Sequence, residues 1–229
     1  MRPSQCVVAA TGLKAEASIA ERSEGVIAVA GGGNEARLGS LLDAEISEGV
    51  EGLVSFGIAG ALRPGLVPGS CVVGVAVIGE GRWYPANEAW SDRLINSIPG
   101  AARGAVVGIS KPVSSVQDKA AMYDTWGAVA VDMESHIVAR LAQNHSLPFA
   151  VLRVIADTAS QRLPPAAVNG LKADGTPDLA AVLKSLASQP TQLPDLIRTA
   201  LATRRAMSGL LRCHRLLGAG LGFGFVDLR

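Results

Sequence analysis

The sequence predicts a layered α/β fold: a mixed, mainly parallel central sheet flanked by helices. Two observations carry that expectation. Apolar, β-branched runs alternate along the chain with stretches of helical periodicity, the pattern of strand–helix units around a parallel sheet. The runs are also apolar at nearly every position rather than at every second one, as strands covered on both faces must be. In chain order the runs are Cys6–Ala10, Val26–Ala30, Gly52–Phe56, Cys71–Ile78, Ala105–Ile109, Ala128–Val131 and Phe149–Ile155. Helical spacing falls between them at Glu35–Glu48, Ser91–Ile98, Val116–Thr125 and Glu134–Asn144, and after the last strand at Asp178–Leu186.

The final forty residues read differently. Two prolines between Gln189 and Pro194 break the preceding helix. A long helix over Asp195–Leu217 is expected next, with Leu196, Ile197, Ala200, Leu201, Met207, Leu210, Leu211 and Leu217 at helical spacing among five arginines. A glycine-rich apolar tail, Gly218–Val226, follows. This helix reads either as a packed C-terminal element or as a basic amphipathic helix at a membrane surface or lipidic ligand. No linker divides the chain, so residues 1–229 are expected to form one domain, with 190–229 as its helix and tail.

Composition narrows the function. Hydrophobic residues are 48% of 229, enough for a sizeable core, and the net charge of +1 gives no electrostatic reason to expect nucleic acid. Aromatics at 4% leave no stacking platform for single strands. Cys6, Cys71 and Cys213 are odd in number and far apart, which reads as reduced thiols in a cytoplasmic protein. His136, His145 and His214 lack zinc spacing, so no metal site is expected, and no cofactor. The first residues do not read as a signal peptide, and the longest apolar runs are too short to span a bilayer.

Gly31-Gly32-Gly33-Asn34-Glu35-Ala36 follows a strand and opens a helix, formally matching a dinucleotide-binding fingerprint. The ribose-binding acid that such a site needs is missing, because the next strand ends at Phe56-Gly57. The loop then reads as a plain turn or as the lining of another ligand site. A nicotinamide-dependent oxidoreductase and a non-catalytic nucleoside or lipid binder remain as readings of other classes.

The chemistry concentrates at two strand ends. Ala128–Val131 runs into Asp132-Met133-Glu134-Ser135, and Phe149–Ile155 runs into Ala156-Asp157. Ligands of α/β sheets sit at the carboxyl ends of strands, so Glu134 and Asp157 are expected to meet there across neighbouring strands. A third acid, Glu16, follows the first strand.

Ala130-Val131-Asp132-Met133-Glu134-Ser135 and Arg153-Val154-Ile155-Ala156-Asp157 resemble the paired signatures of the purine nucleoside phosphorylase and methylthioadenosine/adenosylhomocysteine nucleosidase superfamily. Phe56-Gly57-Ile58-Ala59-Gly60-Ala61-Leu62, with Gly69-Ser70-Cys71-Val72-Val73 after it, resembles that family's glycine loop and next strand. Gly12-Leu13-Lys14-Ala15-Glu16 sits where the nucleosidases carry an early glutamate. The resemblance implies a three-layer nucleoside-phosphorylase-like fold and cleavage of a purine–ribose bond, with adenine as the base.

On that resemblance Asp157 is the acid that protonates N7 of the leaving base, and Glu134 binds the ribose hydroxyls. Met133 packs on the sugar, Glu16 takes a proton from the attacking water, and Gly57, Ile58 and Ala59 line the substrate site. Gly31, Gly32, Gly33 and Arg37 are candidates for a phosphate or water loop. Ile58 replaces the family's serine, Ser55 stands where bacterial phosphorylases place an arginine, and Ala156 replaces the serine before the acid. The missing phosphate ligands favour hydrolysis over phosphorolysis. The arginine- and leucine-rich end is most similar to the hopanoid-associated phosphorylase branch, which implies adenosylhopane cleaved to ribosyl-hopane and adenine. The rival is a methylthioadenosine or adenosylhomocysteine nucleosidase. The family further implies a homo-oligomer, and the lipidic substrate a peripheral membrane contact.

Overall fold

The computed structural model describes residues 5–168, 172, 175–176 and 178–225. Eight strands form one sheet: β1 (Val7–Thr11), β2 (Val26–Ala30), β3 (Gly52–Ala61), β4 (Cys71–Gly79), β5 (Arg82–Pro85), β6 (Ala102–Gly108), β7 (Ala130–Asp132) and β8 (Phe149–Asp157). Helices are α1 (Lys14–Ala20), α2 (Glu35–Ser47), α3 (Glu88–Ser97), α4 (Val116–Trp126), α5 (Ser135–Asn144), α6 (Pro165–Val168), α7 (Leu179–Ser188) and α8 (Leu193–Leu217). The order is β2-β1-β3-β7-β6-β4-β5, with β8 pairing both β3 and β4. Five pairings are parallel, and β3–β7, β4–β5 and β4–β8 are antiparallel. The circuit β3-β7-β6-β4-β8 closes on itself, so half of the sheet curls into a small barrel.

Alternation along β8 shows how the layers are built. Ala150, Leu152, Val154 and Ala156 face a core shared with Ile19 of α1, Trp90 and Leu94 of α3, and Leu210 and Leu217 of α8. Phe149, Val151 and Ile155 face Leu38 and Leu42 of α2 and Ile137 and Leu141 of α5. The two-residue period of a strand puts Arg153 on that second face with them, and a register shift against β3 after Ile155 breaks the alternation before Asp157.

Several expectations need correction. Glu134 and Asp157 do not sit on hydrogen-bonded neighbours: β7 and β8 both reach the end of β3, where Gly60 pairs with Val131 and with Asp157. The glycine stretch after Phe56 is not a loop but the continuation of β3, because β8 supplies it with a ladder partner through Ala59. The seven-residue α1 and the four-residue β5 went unread, being too short to show periodicity. Cys71 and Cys213 are not free thiols; they form a disulfide joining β4 to α8, and only Cys6 is free. Their 142-residue separation hid a proximity that packing creates.

The long C-terminal helix starts two residues early and buries Ala202, Ala206, Leu210, Cys213 and Leu217 against β8. Its other side leaves Leu193, Ile197 and Leu201 about half exposed; Leu179 and Leu183 of α7, a helix with no buried residue, are exposed as well. The tail is docked rather than free: the Trp90 indole N–H donates to the Leu221 carbonyl at 3.0 Å. Val226, where the tail was expected to end, lies outside the described residues.

Candidate active site

One pocket opens at the carboxyl ends of β1, β3, β7 and β8. It is lined by Gly12, Leu13, Glu16, Gly33, Ile58, Ala59, Gly60, Ile109, Lys111, Pro112, Val113, Val131, Asp132, Met133, Glu134, Ala156, Asp157 and Leu163. The structure thus brings Glu16, Glu134, Met133, Ile58, Ala59 and Asp157 to one place. From the glycine-rich turn, only Gly33 reaches it. Gly31 and Gly32 instead donate their amides to Thr11 and Gly12 carbonyls, and Arg37 lines a separate shallow groove with Lys14 and Glu21.

Each carboxylate is positioned by the local backbone. Glu16 lies in the first turn of α1, and its carboxylate reaches back over the turn. It accepts from the amides of Gly12 (2.9 Å), Leu13 (2.8 Å) and, across the sheet, Ile58 (2.8 Å). A helix cap and a pocket wall are therefore one residue. Glu134 is held by the cap of α5: Asp132 accepts from the Glu134 and Ser135 amides at 3.0 and 2.8 Å, fixing the chain where β7 turns into the helix. Gly12 allows the close approach of β1, since a Cβ there would lie 2.7 Å from a Glu134 carboxylate oxygen.

Behind the pocket lies a buried charge network that centres on Arg153. The guanidinium is fully buried, with Nε 2.8 Å from Asp132 and Nη2 3.2 Å from Glu134. It also donates to the Ser55 hydroxyl and the Ile58 carbonyl. Gly57, the third substrate-lining candidate on β3, sits against this network: a Cβ there would come within 2.8 Å of both Arg153 and Glu16. Neither Arg153 nor Asp132 was singled out from sequence. The signal for Arg153 was present, since a charged residue in the middle of an otherwise apolar strand has to be paired.

Asp157 ends β8 and is 7% exposed. It pairs with Lys119 of α4, a lysine with no exposed surface, whose ammonium also donates to the Thr158 carbonyl at 2.9 Å and the Gln161 carbonyl at 3.0 Å. Sequence offered no sign of this, because α4 is charged on several sides and a lysine there reads as solvated.

Burial dominates the electrostatics. It pushes Asp157 above the usual aspartate range against the pull of Lys119. It raises Glu16 against Arg153 and the three amides. It pushes Glu134 up to about 7, opposed by Arg153 and helped by Asp132 and Glu16.

These shifts carry a stability consequence. Acids whose pKa is raised by folding hold protons that the unfolded chain has already released, so stability falls as pH rises from the unfolded value to the folded one. For Glu134 that window runs from 4.5 to about 7, and the shift amounts to about 3 kcal/mol at most. Glu134→Gln is therefore expected to melt progressively higher than wild type as pH rises through this window, with the difference levelling off above it. Thermal melts of both proteins at half-unit pH steps test this, and a difference independent of pH would rule the burial effect out.

By sequence, residues 23–202 match the model of the phosphorylase superfamily. No curated protein matches the chain. Among solved structures, futalosine hydrolase of Helicobacter pylori superposes with a TM-score of 0.65 at 14% identity, covering 92% of this chain and 97% of that one. The 5'-methylthioadenosine/S-adenosyl homocysteine nucleosidase of the same organism, solved in complex with a substituted pyrrolidin-3-ol, gives 0.65 at 15% identity, over 91% and 97%. The corresponding nucleosidase of Streptococcus pneumoniae gives 0.62 at 15%, over 93% and 100%. At such identities the likeness is one of fold, and it agrees with the mixed, mainly parallel sheet expected from the sequence.

Proposed function

The chain belongs to the phosphorylase superfamily, and from that premise we propose that it hydrolyses the N-glycosidic bond of a purine nucleoside, with adenine as the base. The observation that carries the reading is the pocket's charge. Among the described residues, four carboxylates, Glu16, Asp132, Glu134 and Asp157, line it against one cation, Lys111. Such a lining suits a reaction through a sugar cation and disfavours a phosphate dianion, which needs several free donors. Arg153, a further cation behind the pocket, is buried; its guanidinium is ion-paired with Asp132 and Glu134 and donates to Ser55 and Ile58.

In this reading Glu134 grips the ribose diol by charge-assisted hydrogen bonds, and Met133 packs on the sugar. Asp157 delivers a proton to N7, so that the base leaves neutral. Glu16 accepts the proton of a water that adds to C1′. Its three amide contacts fix the carboxylate's orientation for that task.

For the 5′ substituent we favour a lipid, as in adenosylhopane, with the chain acting as one domain that self-associates and touches the inner membrane surface from the cytoplasm. Support comes from the apolar residues around the pocket, Leu13, Ile58, Val113 and Leu163, and from the uncovered leucines of α7 and α8. The second reading, a methylthioadenosine or adenosylhomocysteine nucleosidase, is favoured by the breadth of overlap with such enzymes.

Turnover of adenosylhopane and of methylthioadenosine, each with and without phosphate, separates these readings. The expected result is phosphate-independent release of adenine and free sugar. Ile197→Ser with Leu201→Ser should slow the lipid substrate about tenfold or more, as roughly 1–3 kcal/mol of lost apolar contact would, and leave methylthioadenosine untouched. Loss on neither substrate would remove the lipid proposal, and a phosphorylated sugar product would remove hydrolysis. Deleting 190–229 is a poor test, because it strips buried residues of α8 from the core.

A further inference from the structure

We propose that Lys119 is a positioning residue that stores the proton Asp157 passes to the departing purine. The inference rests on the hydrolytic reading above and concerns how its acid is supplied.

The geometry raises a difficulty that the lysine resolves. A general acid must carry a proton when the base leaves, yet Asp157 touches an ammonium, and an ion pair holds a carboxyl in its ionised form. Lys119 has no exposed surface, and its three N–H bonds find three acceptors: Asp157 Oδ2 and the carbonyls of Thr158 and Gln161. It stands behind Asp157 and does not line the pocket. A pair placed only to tie α4 to the loop after β8 would have no need of a carboxyl that opens onto the pocket. This one does open onto it, so a single proton can lie between a buried amine and the substrate.

The remaining charged groups of the pocket are Glu16 on α1, Asp132 and Glu134 at the end of β7, and Lys111 before α4. Among the described residues, none of them is bonded to Asp157.

The step balances. As the C1′–N9 bond breaks, its electron pair goes to the purine. One proton moves from Lys119 Nζ to the ionised Asp157, which passes that same proton on as the N7–H bond forms. Lys119 is left as a neutral amine and Asp157 as a carboxylate. Water adds to C1′ and gives its proton to Glu16, and exchange with solvent returns one proton to Lys119.

The test is the pH dependence of kcat/KM for a purine nucleoside in four proteins: wild type, Lys119→Met, Lys119→Arg and Asp157→Asn. Lys119→Met leaves Asp157 to bind its own proton. Its activity should be close to that of wild type near pH 6 and then fall roughly tenfold per pH unit, to about a hundredfold deficit at pH 8. Lys119→Arg keeps the charge on a group that does not release its proton, so activity should be low at every pH. On a nucleoside analogue whose leaving group needs no protonation, each variant should lose far less activity than on the purine nucleoside.

Parallel profiles for wild type and Lys119→Met, or full activity in Lys119→Arg, would overturn the proposal and leave Lys119 a tether. Should Lys119→Met fail to fold, the arginine variant decides alone. If the wild type cleaves no purine nucleoside, the hydrolytic reading itself fails; if Asp157→Asn is undiminished, Asp157 is not the acid and the proposal falls with it; if only the lysine variants behave as wild type, both the reading and the role of Asp157 survive.

Discussion

Replacing Asp157 with asparagine is expected to lower kcat on a purine nucleoside by about 10²–10⁴-fold with little change in KM, the usual range for a lost general acid. Asparagine keeps the shape of the side chain but carries no transferable proton. The loss should depend on the leaving group. A purine departs poorly unless N7 is protonated, whereas a nitrophenolate leaves as a stable anion. A p-nitrophenyl riboside should therefore lose far less activity than the nucleoside. Equal losses on both would point to a general distortion of the pocket, and no loss on the nucleoside would remove Asp157 from the mechanism. The substitution also strips Lys119 of its counter-charge while leaving it buried. Thermal melts must accompany the kinetics, with the comparison made where the variant is folded.

The second large effect concerns stability. Arg153→Met would leave Asp132, Glu134 and Glu16 buried without the guanidinium that offsets their charge. Breaking a buried ion network by removing one partner costs about 3–5 kcal/mol. In a chain of this size that corresponds to a fall in Tm of roughly 10 °C. The loss should be largest above about pH 7, where Glu134 is ionised, and shrink toward pH 5 as Glu134 takes up its proton. Lysine should not rescue it, since a single ammonium cannot meet Asp132, Glu134 and Ser55 together as the planar fork does. A Tm within about 2 °C of wild type at pH 8 would mean that the guanidinium offsets no charge on which the fold depends.

The two variants separate two roles that share one strand. Arg153 lies deep in the core part of β8 and Asp157 at its end. Between them the pairing with β3 shifts register, from Ala59 with Ile155 to Gly60 with Asp157, so the residue that fixes the carboxylates and the residue proposed to act on the base are set by different registers.

Much of this was legible in the chain. Alternation of apolar runs with helical periodicity marked seven of the eight strands to within a few residues, because a strand buried on both faces must be apolar throughout. Glu134 and Asp157 stood out because each closes such a run, and Glu16 because it follows another. The glycine stretch 57–60 was misread as a loop, since glycine lowers strand propensity and only a partner strand reveals the ladder. Lys119 left no trace, because nothing in an amphipathic pattern distinguishes a lysine that turns inward from one that is solvated.

The sequence by itself determined the layers, the order of the elements and which acids stand at strand ends. These follow from local propensity and apolar periodicity, which are written residue by residue. Tertiary structure alone decided that β3 carries both β7 and β8 at its end, that Arg153 holds Asp132 and Glu134, that Lys119 meets Asp157, and that Cys71 meets Cys213. Those pairings join residues tens of positions apart. Their energies depend on distance and burial, which exist only once the chain has closed.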